Sequence, residues 1–187
     1  MYAQTYLDGR DELIEFSSKL GAALQRHPRK KPWIIDLEGD PDSGKSLIAL
    51  AVDRVFNPQF YRQGITLAMS ADRLPGEFHE TKNPVYFCNY AYEIMETSED
   101  YDDFLGRLIK RMPFNKVIMI SNIYRSLPGV ARHEFNYRSG NLHSDRLDIA
   151  IEVRKQRNSD ERHVGVTFKN RSLRPALNLV TLPSTVP

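Results

Sequence analysis

Between Asp11 and Gln25, the apolar residues Leu13, Phe16, Leu20, Ala23 and Leu24 recur at three- and four-residue spacing. That period predicts an amphipathic helix with one face turned to a core. The connector Arg26-His27-Pro28-Arg29-Lys30-Lys31-Pro32 ends it, because proline supplies no amide hydrogen and clashes with the preceding turn. Its basic residues read as solvated. Trp33–Glu38 is a mostly apolar strand, and Ser46–Phe56 is a second helix with Leu47, Leu50, Ala51, Val52 and Val55 on its apolar side. Ile65–Met69 and Val85–Tyr90 read as short strands, separated by the polar stretch Ser70–Pro84. Tyr101–Met112 is helical, preceded by Glu93, Glu96, Glu99 and Asp100, which suit the positive end of a helix dipole. Val117–Ile120 is a continuous apolar run, as expected of a buried central strand. Asp148–Val153 and His163–Phe168 alternate apolar and polar around Asn158-Ser159-Asp160, which predicts a hairpin.

Strands alternating with helices, then an antiparallel pair, predict an α/β fold. The expected form is a three-layer sandwich around a mainly parallel sheet with an antiparallel C-terminal hairpin. The length of 187 residues suits one domain, expected over 1–170, followed by a loosely docked or disordered tail, 171–187. Hydrophobic residues make up 41% and charged residues 27%, a balance that excludes disordered, fibrous and membrane-embedded classes. With 26 basic against 24 acidic residues, bulk charge does not argue for nucleic acid. No apolar run is long enough to span a bilayer and Met1–Arg10 carries no secretory pattern, so a cytoplasmic protein is expected. Cys88 is the single cysteine; it excludes an intrachain disulfide and, inside an apolar strand, reads as packing.

The chemistry lies between the first predicted strand and the second helix. Gly39-Asp40-Pro41-Asp42-Ser43-Gly44-Lys45-Ser46 matches G-x-x-x-x-G-K-[ST] in full, and Leu47 follows at the helix start. In such a loop, backbone N–H groups point at phosphate oxygens and the helix dipole adds positive potential. Gly44 permits close backbone approach, Lys45 reaches the β- and γ-phosphates, and the Ser46 hydroxyl is a ligand for Mg²⁺. The expected ligands are therefore ATP and Mg²⁺, with GTP left open. Pro41 removes one N–H, while Asp40 and Asp42 bring negative charge close to a negative ligand. A modest, magnesium-dependent affinity follows.

Hydrolysis needs an acidic residue at the end of a neighbouring strand and a group that orients water. The most apolar strand ends Ile120-Ser121-Asn122 and another ends Cys88-Asn89-Tyr90, both neutral. Asp36 lies inside the first strand, and Asp72 and Glu93 follow strands that can approach the loop.

These residues resemble the TsaE family of small P-loop ATPases, which act in threonylcarbamoyladenosine modification of tRNA. Leu20-Gly21-Ala22-Ala23-Leu24 is similar to the family's Leu-Gly-x-x-Leu helix end. The phosphate loop is similar in frame to Gly-Asp-Leu-Gly-Ala-Gly-Lys-Thr. Val85-Tyr86-Phe87-Cys88-Asn89-Tyr90 takes the place of the Val-Tyr-His-x-Asp strand, and Asp148–Phe168, with Arg162 before the last strand, resembles the closing hairpin. The likeness runs over about residues 10–170 in order and spacing. It implies ATP and Mg²⁺ as cofactors and partners similar to TsaD and TsaB. The departures are specific. The family's strand aspartate, a metal-site position, falls at Asn89; its Glu-Trp pair falls at Ser121-Asn122. Its Ser-Pro-Thr segment falls near Ser70-Ala71-Asp72, and a loop glycine is replaced by Asp42. The acidic positions are thus largely replaced, which leaves a weak ATPase or a nucleotide-dependent switch, with Asp72 the candidate to restore acidity.

Three readings stand. One is a TsaE-like ATPase or switch, with tRNA facing Arg154, Lys155, Arg157, Arg162, Lys169, Arg171 and Arg174, although a solvated hairpin is the better explanation of those charges. Another is a kinase transferring the γ-phosphoryl group to a small molecule or protein, with Asp72 or Asp36 as base and Ser70–Pro84 as lid. The last is an interaction module that binds nucleotide without turnover.

Overall fold

The structure, a computed structural model, describes residues 2–40, 42–58, 66–68, 84–89, 98–111, 116–123 and 145–168. In chain order the elements are β1 (Tyr2–Leu7), α1 (Arg10–Arg26), β2 (Trp33–Gly39), α2 (Lys45–Phe56), β3 (Thr66–Ala68) and β4 (Val85–Asn89). They continue with α3 (Ser98–Arg111), β5 (Val117–Ile123), β6 (Ile149–Lys155) and β7 (Arg162–Phe168). The strands form one sheet in the order β1-β7-β6-β2-β5-β4-β3. From β6 to β3 every pairing is parallel, while β6–β7 and β7–β1 are antiparallel. This is the expected α/β sandwich: a mainly parallel sheet with an antiparallel C-terminal hairpin.

Parallel strands buried on both faces need near-continuous apolar runs. β2 supplies one, and from Trp33 to Leu37 every position is buried, Asp36 included. One face of the sheet joins α1 and α2 in a single core. Trp33, Ile35 and Leu37 of β2 meet Val117 and Met119 of β5 there, together with Leu13, Leu20 and Leu24 of α1 and Ile48 and Val52 of α2. Ile34, Ile118 and Ile120 alternate onto the other face and are equally buried, as are Leu105 and Leu108 of α3. Among the described residues no helix is long and apolar enough to cross a membrane.

The structure departs from sequence expectation in four places. β1 has no counterpart among the predicted strands; it adds to the hairpin at Tyr2↔Thr167 through Leu7↔Arg162, so the antiparallel part has three strands. β5 continues past Ile120 because Ser121, Asn122 and Ile123 pair with Leu37, Glu38 and Gly39. α3 starts at Ser98, which places Glu99 and Asp100 inside its first turn rather than ahead of it. The connector before β2 is not simply solvated: Arg29 pairs with the buried carboxylate of Asp148 and lies 4.0 Å from the centre of the Trp33 ring. Asp148 also accepts the Ile34 N–H at 2.9 Å, so one carboxylate fastens the start of β2 to the segment that enters β6. The sequence readings at Asp72 and Glu93 and at residues 70–83 and 171–187 lie outside the described residues.

A buried carboxylate that loses its cation is penalised more than the pair was worth. Arg29→Met, which also removes the cation–π contact, is therefore expected to cost about 2 kcal/mol. Urea unfolding of wild type and variant measures it; a midpoint unchanged within error would mean that Asp148 is held by the Ile34 N–H alone.

Candidate functional site

The phosphate loop leaves the C-terminal end of β2, between the ends of β5 and β6. Gly39 closes the strand with φ of +144°, and a Cβ built there would lie 1.9 Å from the Val153 carbonyl oxygen. The backbone of β6 therefore occupies the space of any side chain at this position. The next residues turn tightly: Ser43 N–H donates to the Asp40 carbonyl at 3.3 Å, with Asp42 at φ of +58°. An αL backbone is tolerated by aspartate better than by most residues, which explains how Asp42 fits this turn without a glycine. Gly44, at φ of +110°, is the residue ahead of α2, and Ile48 N–H donates to its carbonyl at 3.0 Å. The helix begins at Lys45, one residue earlier than its apolar period indicated.

In the first turn of α2, no backbone acceptor for the N–H groups of Lys45, Ser46 and Leu47 is found among the described residues. No acceptor for the Gly44 N–H is found among the described residues either. A tetrahedral anion suits such a set of donors. The Ser46 side chain is exposed and Leu47 half-buried, so the helix start is open on the Ser46 side. Pro41 lies outside the described residues.

Lys45 is buried within its own loop. Its Nζ donates to the Gly39 carbonyl at 2.9 Å, to the Asp40 carbonyl at 2.5 Å and to Ser43 Oγ at 3.3 Å. Burial pushes the ammonium down from its ordinary value to about 8, against the opposing pull of the Asp40 and Asp42 carboxylates. The two acids expected to repel phosphate thus also hold the charge on the lysine that attracts it. Any anion that recruits Lys45 would have to take it from the two loop carbonyls and Ser43 Oγ.

Arg162 requires a correction. The sequence reading grouped it with basic residues on a solvated hairpin or an RNA-facing surface, exposed either way, but it is only 7% exposed, and its Nε donates to the Ser43 carbonyl at 3.1 Å. Its Nη1 donates to the Asp160 carbonyl. Of the other basic residues in that group, Arg154 pairs with Glu152 and Lys155 with Asp160, and Arg157 is exposed. Lys169, Arg171 and Arg174 lie outside the described residues.

Asn89 and Ser121 occupy paired positions on β4 and β5, and Ser121 pairs in turn with Leu37 of β2. Asn89, Ser121 and Leu37 therefore form one row across three strands, two residues before the loop begins at Gly39. Ser121 is fully buried, and its hydroxyl finds no hydrogen-bond partner among the described residues. Asp36, one residue earlier on β2, is buried opposite Ile120, on the sheet face away from Leu37. Asp72 lies outside the described residues.

No protein-family model matches the chain, and no curated protein matches it. Among solved structures it is similar to Bacillus subtilis YdiB, with a TM-score of 0.53 and 13% sequence identity over 95% of this chain and 93% of that one. A replication initiator DnaA bound to AMPPCP and single-stranded DNA aligns with 80% of this chain and 46% of its own, at 15% identity and a TM-score of 0.35, too low to carry an argument. At these identities the likeness to YdiB is one of fold, and it extends over nearly the whole of both chains.

Proposed function

We propose that this protein binds a nucleoside triphosphate, ATP first, together with Mg²⁺, at the loop from Gly39 to Leu47. The observation that carries this reading is the complete G-x-x-x-x-G-K-[ST] sequence at a β2-to-α2 junction whose Gly44 N–H and first-turn N–H groups lack acceptors among the described residues. The Gly44, Lys45, Ser46 and Leu47 amides would hold phosphate oxygens, and the Lys45 ammonium would move from the carbonyls to the β- and γ-phosphates. Ser46, with an exposed side chain, is the residue that would ligate Mg²⁺; the ion supplies charge neutralisation between β- and γ-oxygens.

The finer reading is a TsaE-like switch or weak ATPase, in tRNA threonylcarbamoyladenosine modification or a role derived from it, with partners similar to TsaD and TsaB. It rests on the order of motifs along the chain. The neutral row Asn89–Ser121 favours binding with little turnover, since a carboxylate is the group expected there to assist Mg²⁺. Product analysis distinguishes the kinase reading: label from the γ-phosphate passes to an acceptor in a kinase and appears as free phosphate in an ATPase.

The testing experiment is a titration of ATP and GTP, with and without Mg²⁺, on the full chain, with phosphate release followed in the same samples. Saturable magnesium-dependent binding with little release is expected; no binding of either nucleotide would overturn the reading. Affinity should also depend on pH. Phosphate raises the Lys45 pKa above its ligand-free value of about 8, so binding takes up a proton once the free lysine has lost one. The dissociation constant is expected to stay flat below about pH 7 and to rise by up to about tenfold per pH unit above about 8. A flat profile to about pH 9.5 would mean that Lys45 does not change partners on binding.

A further inference from the structure

Arg162 is a buried guanidinium that donates to two backbone carbonyls, Ser43 in the phosphate loop and Asp160 in the turn between β6 and β7. Among the described residues no carboxylate pairs with it; the Asp160 side chain is paired with Lys155. A charge with so little counter-charge is costly to bury unless its site uses it. Its position is specific. Arg162 opens β7, opposite Leu7 of β1 and Lys155 of β6, and its Nε lies 3.6 Å from where a Gly44 Cβ would stand. The Leu13 side chain fills the same side of the loop, 2.5 Å from that point. The Lys45 ammonium, by contrast, is held by Gly39, Asp40 and Ser43 Oγ.

The peptide between Ser43 and Gly44 is trans, so its carbonyl and its N–H point in opposite directions. Arg162 holds the carbonyl towards β7. The N–H of Gly44 is thereby turned away from Arg162, and it is one of the loop amides for which no acceptor is found among the described residues. Without that hold, rotation of the peptide would present a carbonyl oxygen to the phosphate in place of a donor. We infer that Arg162 is a positioning residue for the phosphate site: its Nε fixes the Ser43–Gly44 peptide so that the Gly44 N–H is preset as a phosphate donor. Its Nη1 ties that peptide to the β6–β7 turn. This rests on the nucleotide reading above and adds to it a residue from the far end of the chain, 119 positions from Ser43. A lysine cannot replace the guanidinium, because one ammonium does not reproduce the rigid fork that spans two separate carbonyls.

The test uses wild type, Arg162→Lys and Arg162→Met, with ADP plus Mg²⁺ as the probe, at a temperature well below each variant's unfolding midpoint. Calorimetric titration is expected to show at least about a tenfold loss of affinity in both variants, the scale of one charge-assisted hydrogen bond. The Gly44 amide proton should shift on binding in wild type and lose most of that shift in Arg162→Lys. A residue that merely supports the fold would lower the midpoint and leave that shift in place. Variants that bind within twofold of wild type, or keep the Gly44 shift, overturn the positioning role while the nucleotide reading stands. Wild type that fails to bind overturns the nucleotide reading and this inference with it. Should Arg162→Met not fold, Arg162→Lys decides by the same two measurements.

Discussion

Gly39→Ala is expected to lower stability by more than about 4 kcal/mol, more than any other single substitution proposed for this chain. Two costs add. The residue has φ of +144°, a region that a side chain avoids, and the new methyl would sit 1.9 Å from the Val153 carbonyl oxygen. That oxygen belongs to a β6 residue paired in register with Gly39, so it cannot retreat without opening the parallel pairing of β2 with β6. For a domain of this size each kcal/mol moves the thermal midpoint by about 2–4 °C, so a fall of more than about 8 °C is expected. Guanidinium unfolding followed by circular dichroism measures it. A change below about 1 kcal/mol would mean that β6 does not press on the start of the loop as described.

Lys45→Met should separate function from stability. Nucleotide binding is expected to weaken by at least about a hundredfold, because the cation for the β- and γ-phosphates is gone. Stability should move the other way. The ammonium lies at about 8 in the folded protein against 10.5 for a free lysine, so the charged form is held at a net cost on the order of 3 kcal/mol at neutral pH. Methionine fills a similar volume without that cost but leaves the Gly39 and Asp40 carbonyls without their donor. A net gain of about 1–2 kcal/mol is the expected balance, read as a thermal midpoint about 2–8 °C higher. The pH dependence fixes the sign independently. Between about 8 and 10.5 the unfolded chain binds the Lys45 proton more tightly than the folded one, so wild-type stability rises with pH across that window. Lys45→Met should lack this rise. A variant no more stable than wild type at pH 7 that keeps the rise would show that another group is responsible for it.

The elements legible in the sequence were those whose signal is local. The loop from Gly39 to Ser46 is contiguous, and α1, β2 and α2 carry their periods within themselves. What escaped was decided by partners far along the chain. Arg29 and Arg162 read as solvated charges because the sequence does not show that Asp148 and the Ser43 carbonyl stand opposite them, 119 residues away in each case. β1 escaped for the same reason, since Tyr2–Leu7 is a strand only by virtue of β7. β5 was cut short because Ser121 and Asn122 end its apolar run, yet the ladder to β2 carries them on to Ile123. At the site, the loop motif was plain, while the inward fold of Lys45 onto the loop carbonyls was not: backbone acceptors leave no mark on composition. Asp72, the sequence's candidate acid, lies outside the described residues.

The strand order also says something about synthesis. β2, which carries the phosphate loop, is flanked by β5 and β6, and β1 is flanked only by β7. As the chain leaves the ribosome, the first two strands are made long before any of their neighbours exist. The loop can have its sheet on both sides only after Lys155 has emerged, and β1 has nothing to pair with before Phe168. Such distant pairings are slow to form and leave strand edges exposed in the interim. A nascent chain arrested before residue 145 would contain the whole motif and yet offer no wall of β6 against Gly39, so the ability to hold a phosphate should be acquired only after β6 has emerged, more than a hundred residues behind the motif itself.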